Sequence, residues 1–161
     1  MSKKKEGELT NFEIMDICKR LNIKLNGIYM KDQLKKLPAK NGCYIINMSD
    51  SNEAGTHWIA LYIKNKNAIC FDSFGIAPPD EIILWLERVK NVSYSKKQLQ
   101  DIANSACGWY CILFLYICSN SDDEPMKIIK YIQSLFSPNK LNKNASILYN
   151  HIDKLLSSIN I

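Results

Sequence analysis

Histidine, arginine and long apolar stretches are all scarce in this 161-residue chain. With only two histidines, His57 and His151, imidazole chemistry has few places to occur. No metal is assigned and no cofactor is required for the chemistry argued below. No apolar run approaches the roughly 20 residues needed to cross a bilayer. The opening residues, MSKKKEGELT, hold no apolar segment of the kind that directs export. The expectation is a soluble, intracellular protein without membrane contact. Six cysteines in such a chain read as reduced thiols rather than disulfides. No internal repeat or low-complexity linker divides the sequence, so residues 1–161 are expected to form one domain with a real core. The net charge of +5 is carried almost entirely by lysine; it permits contact with nucleic acid without establishing it.

The most informative stretch is QDIANSACGWYCILFLYICS, Gln100 to Ser119. Its apolar run from Trp109 to Cys118 is too long for one strand and reads as a buried helix. Asn104 and Ser105 are good N-cap residues before it, which places Cys107 in or near the first turn. Free backbone N–H groups and the positive end of the helix dipole there favour a thiolate over a thiol. The plainer alternative is one buried cysteine among six.

In chain order, residues 1–8 are polar and expected to be disordered. Thr10 and Glu13 have capping-box spacing, and Ile14, Ile17, Cys18 and Leu21 share a face of a helix over about Asn11–Leu21. Residues 22–41 read as loop, with Tyr29, Leu34 and Leu37 as anchors and Asp32 capping a turn. Strands follow at Cys43–Asn47, Trp58–Ile63 and Ala68–Phe71; continuous apolar runs of this kind suit a sheet covered on at least one face. Pro79 suits the first position of a helix whose inner face is Ile82, Ile83, Leu86 and Val89. A weak strand over Val92–Leu99 leads to Gln100. Helices at Pro125–Phe136 and 144–160 close the chain. The class is α+β: a small mixed sheet against a helical layer, with a central buried helix carrying Cys107 at its N-terminus.

His57 precedes one strand and Asp72 ends the next. If those strands pair as a hairpin, both residues fall at the same end of the sheet, where the aspartate can fix the imidazole tautomer. Each has an ordinary alternative, a structural histidine and a turn-capping aspartate. Together with Cys107 they form the parts of a thiol protease: sulfur attacks a carbonyl, imidazole takes and returns the proton, and carboxylate orients the ring. Gln100 is the candidate oxyanion donor alongside the Cys107 N–H. Gly108 would leave room for a substrate backbone.

These residues carry a family resemblance. His57-Trp58, Asp72 within FDSFG, and Gln100 seven residues before Cys107 within NSACGWYC resemble the adenovirus-type maturation proteases, of the clan that includes the SUMO- and ubiquitin-like-protein-specific proteases. GIYMKDQL, Gly27 to Leu34, is similar to a segment before the first core strand in proteases of related large DNA viruses, virophages and Polinton-like elements. The resemblance covers about two thirds of the chain, Gly27 to Ser119. It implies an adenain-like fold and a monomeric cysteine endopeptidase. Its substrates would be viral capsid or core precursors cut at Gly-containing sites, in the host cytoplasm or viral factory and in the virion. It assigns His57 as base, Asp72 as its orienter (adenoviral enzymes carry Glu there), Cys107 as nucleophile and Gln100 to the oxyanion hole. Trp58 would wall the substrate groove or serve the core alone. Activation by DNA or by a disulfide-linked viral peptide, known in adenoviral enzymes, is not carried over, since the chain is only mildly basic and shows no matching partner cysteine. Abundant Ile, Asn and Lys suit an AT-rich virophage or giant-virus relative. Two alternatives stand beside this one: an isopeptidase removing SUMO- or ubiquitin-like modifiers, and a non-catalytic module binding nucleic acid.

Overall fold

A computed structural model describes residues 5–159. Helix α1 (Asn11–Arg20) is followed by β1 (Leu25–Met30), a 3₁₀ segment (Lys31–Lys36), β2 (Gly42–Asn47), β3 (Trp58–Lys64) and β4 (Asn67–Phe71). Next come α2 (Asp80–Trp85), β5 (Asn91–Tyr94), α3 (Cys107–Ser119), α4 (Pro125–Ser134), a short 3₁₀ turn (Leu141–Lys143) and α5 (Asn144–Ser158). The class is α+β, as the sequence implied.

The five strands lie in chain order, β1-β2-β3-β4-β5. The central pairs β2–β3 and β3–β4 are antiparallel, and each edge strand runs parallel to its neighbour. Alternate side chains of β2, β3 and β4 enter opposite layers. Cys43, Ile45, Ala60, Ile69 and Phe71 face α1, α3, α4 and α5, whereas Tyr44, Ile46, Ile59, Leu61 and Cys70 face α2 and the 3₁₀ segment. Burial on both faces is why these strands read as unbroken apolar runs.

Helix α3 is the centre of the larger layer. Ten of its 13 residues are buried, and Phe114 stacks on Phe71 of β4 with ring centroids 4.7 Å apart. A helix apolar on every side needs neighbours on every side; the sheet, α1, α4 and α5 supply them. The α1 capping box forms as expected, with Thr10 Oγ1 accepting from Glu13 N and Glu13 Oε1 accepting from Thr10 N.

Several expectations change. Of residues 1–8, expected to be disordered, 1–4 lie outside the described residues. Lys5 meets Glu13 at 2.8 Å, Gly7 N–H donates to the Tyr149 hydroxyl at 2.8 Å, and Leu9 is buried beneath them. The segment read as loop over 22–41 contains β1 and the 3₁₀ segment. Its half-exposed edge strand pairs through the backbone, so its side chains show no alternating pattern. Asp32 does not cap that segment; its carboxylate accepts from the Ser51 N–H and hydroxyl. Pro79 is the N-cap of α2 rather than its first residue, and Ile83 is exposed while Ile82 and Leu86 are buried. Of the last helix, expected at 144–160, residue 160 is outside the described residues.

Candidate active site

The β3–β4 hairpin brings His57 and Asp72 together. Its tight turn places Asn65 and Lys66 in the left-handed region, as a two-residue hairpin requires. The ladder from Lys64↔Asn67 to Ala60↔Phe71 then carries the residue before β3 and the residue after β4 to the same sheet end. There His57 Nε2 lies 2.8 Å from Asp72 Oδ1. A carboxylate accepts and cannot donate, so Nε2 carries the hydrogen and Nδ1 is left to face another group.

Asp72 is itself fixed. Its Oδ1 also accepts from Phe74 N at 2.8 Å, and its carbonyl accepts from Gly75 N at 2.8 Å. Gly75 has φ +72°, and a Cβ there would stand 2.6 Å from the Lys97 carbonyl carbon, so the turn closes against the segment leading to Gln100. Phe74 stacks on the imidazole, centroids 4.6 Å apart at 23°. On the other side, buried Asn47 accepts from Ser49 N and Thr56 N, and Met48 N donates to the His57 carbonyl, tying down the loop that delivers His57.

Cys107 is the first residue of α3. The N-cap is Ala106 rather than Asn104 or Ser105, and no side chain caps the helix. Asn104 Oδ1 instead accepts from Ala106 N at 3.2 Å, shaping the approach and leaving first-turn N–H groups uncovered by a side chain. Cys107 and His57 line the same cleft, and Cys107 acts electrostatically on the ring. Burial of the imidazole opposes its charged form. The hydrogen bond to Asp72 and the influence of Asp72 and Cys107 beside the ring outweigh it and raise the His57 pKa to about 9. The remaining five cysteines are buried and free. Burial pushes Cys18 and Cys70 up to about 12 and raises Cys43, Cys111 and Cys118.

Gln100 is 1% exposed and reaches the same cleft. Its Oε1 accepts from the Ser73 hydroxyl at 2.5 Å, and its Nε2 donates to the Asn104 carbonyl at 2.9 Å. Trp58 lines the cleft while its indole N–H donates to the Leu9 carbonyl at 3.0 Å, so it serves cleft and core together. Gly108 departs from expectation. Its missing Cβ faces Leu9 and Ile14 at 3.3–3.5 Å, so the room it leaves is filled by the N-terminal segment and not by the cleft.

The cleft encloses about 820 Å³ and runs from Cys107, His57 and Gln100 past Trp58 to Tyr29 and Met30 of β1. Sequence reasoning missed Ser73, Phe74 and Asn104. Phe74 was legible as the second aromatic of FDSFG, two residues after Asp72. Ser73 and Asn104 work through contacts between segments that the sequence leaves 27 and 4 residues from Gln100.

No protein-family model matches the chain. Among curated proteins it is 26% identical over 101 residues to the SUMO-1 cysteine protease of African swine fever virus, covering 54% of this chain and 37% of that protein. It is 25% identical over 146 residues to the protease of human adenovirus B serotype 3, covering 72% of this chain and 69% of that protein. The chain thus spans little more than a third of the African swine fever virus relative. A crystal structure of the African swine fever virus protease superposes with a TM-score of 0.55 at 16% identity, covering 86% of this chain and 67% of that one. The chain therefore resembles viral cysteine proteases in sequence and shares their adenain-like fold.

Proposed function

We propose that this chain is a viral cysteine endopeptidase that cuts capsid or core precursors at Gly-containing sites during virion maturation. The observation that carries the reading is the Asp72–His57 hydrogen bond in the same peptide-sized cleft as Cys107, the first residue of a buried helix. In this mechanism Cys107 Sγ attacks the scissile carbonyl. His57, held by Asp72 through Nε2, manages the proton at Nδ1 and delivers it to the leaving amine. The developing oxyanion accepts from the Gln100 side-chain amide and the Cys107 backbone N–H. Trp58 walls the groove. The acyl-enzyme is then hydrolysed by water with His57 as base. The protein acts as a monomer in the host cytoplasm or viral factory and in the virion.

Mass spectrometry of virion proteins made with wild-type chain and with Cys107→Ala tests this. Precursors persisting in the variant are expected; identical capsid polypeptides in both would overturn it. One finding favours a second reading, removal of a modifier: the African swine fever virus relative is named for SUMO-1. Purified chain given capsid precursors and SUMO fusions side by side separates the two, and cleavage of the fusions alone would replace the first reading.

A further inference from the structure

An oxyanion donor helps only if it points the right way before the charge appears. The Gln100 side chain is planar, with an acceptor on one side and a two-hydrogen donor on the other; turned by half a rotation, it would present oxygen to the anion it is meant to hold. What fixes its orientation is visible in the structure. The Asn104 carbonyl can only accept, so the neighbour it contacts at 2.9 Å has to be the NH₂ group. That leaves Oε1 against Ser73 Oγ at 2.5 Å, where the hydroxyl has to donate. Both side chains are 1% exposed, so no bulk water competes for these atoms. The NH₂ has two hydrogens and one described partner. Its second hydrogen has no described partner, and Gln100 and Cys107 line one cleft together.

Ser73 is well placed for the task. Its carbonyl accepts from Leu99 N at 2.8 Å and Gln100 N at 3.0 Å, so the residue grips Gln100 by both main chain and side chain. It also directly follows Asp72 in the turn that Gly75 closes. One short turn therefore sets the imidazole through Asp72 and the amide through Ser73.

We propose that Ser73 is a positioning residue that locks the Gln100 amide with its N–H toward the reacting carbonyl. This rests on the endopeptidase reading above. The Ser73 hydroxyl itself never meets substrate. Without it, Oε1 loses its buried donor and the amide is held by the Asn104 carbonyl alone, so it swings out of the position in which its second N–H meets the oxyanion.

The test uses purified full chain, a Leu-Arg-Gly-Gly-aminomethylcoumarin peptide and iodoacetamide. Alkylation by iodoacetamide reports the Cys107–His57 pair without building an oxyanion. Ser73→Ala is expected to lower kcat by about 10- to 100-fold, below the full loss of an oxyanion donor. KM and the pH profile of Cys107 alkylation should stay at wild-type values. Gln100→Ala should lower kcat at least as far, and adding Ser73→Ala to it should lower kcat no further. Ser73→Cys, similar in size and a weaker donor, should fall between wild type and Ser73→Ala; it carries the same comparison if Ser73→Ala does not fold. The proposal fails if Ser73→Ala matches wild type, if alkylation slows as much as hydrolysis, or if the two substitutions lower kcat multiplicatively. A wild-type chain that is alkylated at Cys107 yet cuts neither this peptide nor capsid precursors refutes the endopeptidase reading and this proposal with it. A wild type that cuts, beside an equally active Ser73→Ala, refutes the positioning role alone.

Discussion

Cys107 and Cys111 stand one turn apart on α3, and their surroundings share almost nothing. Cys107 opens the helix and lines the cleft together with His57. Cys111 is sealed in the core, where burial raises its pKa well above the usual thiol value. The same side chain on the same helix is a candidate nucleophile at one position and inert filling at the other. Helix composition does not make the difference. It comes from which turn meets the end of the sheet, because only there do free N–H groups, an imidazole and an open wall coincide.

The sharpest way to break this contrast is to remove each sulfur in turn. Cys107→Ala is expected to reduce peptide cleavage by at least about 10³-fold. Cys111→Ala should keep kcat/KM and instead lose about 1–2 kcal/mol of stability in a denaturant titration. Comparable losses of activity in both would erase the distinction.

Proton linkage gives the next largest effect. The folded pKa of His57, about 9, lies above its ordinary value of 6.5. Its contribution, up to roughly 3 kcal/mol, is therefore fully present below about pH 6.5 and lost as pH rises through about 9. Thermal melts across that window should show wild-type stability declining. Asp72→Asn should flatten the decline most, and Cys107→Ala should flatten it in part, since both partners raise this pKa.

Gly108→Ala probes the back of the site. The added methyl would meet Ile14 at an ordinary 3.5 Å and Leu9 at 3.3 Å, so Leu9 must give by a few tenths of an ångström; the gain of alanine over glycine in a helix, about 1 kcal/mol, offsets that cost. Because the shift lies behind Cys107, kcat should fall in peptide cleavage while the melting temperature stays close to wild type. The smallest effect belongs to the far end of the hairpin. Lys66 holds φ +65°, and Lys66→Gly should add about 1 kcal/mol by removing that strain, with kcat unchanged.

Much of this was legible beforehand, for identifiable reasons. Helical spacing of Ile14, Ile17 and Cys18 and the Thr10–Glu13 pair revealed α1, and β-rich runs revealed β2 to β4. Hairpin logic alone placed His57 beside Asp72. The structure also brings Gln100 and Cys107 to that cleft. Strand β1 was not legible: LNGIYM includes a glycine and an asparagine, sits half-exposed at an edge and pairs in parallel with β2. Nor was the use of Gly108, because the residue filling its space, Leu9, directly follows residues 1–8, whose polarity suggested disorder, and stands far from it in the chain. Ser73 escaped for a related reason, since its partner stands 27 positions away.

The ladder between β3 and β4 has a further consequence for how this molecule can change. The separation of imidazole from carboxylate is set by counting residue pairs from a two-residue bend, and pleated chains admit only whole steps. Insertions between residues 48 and 56 can be absorbed by the loop. One residue added inside either strand would turn an inward side chain outward and carry His57 or Asp72 a full step out of line. Variation in length is therefore tolerated at the cleft's rim and forbidden in the hairpin beneath it.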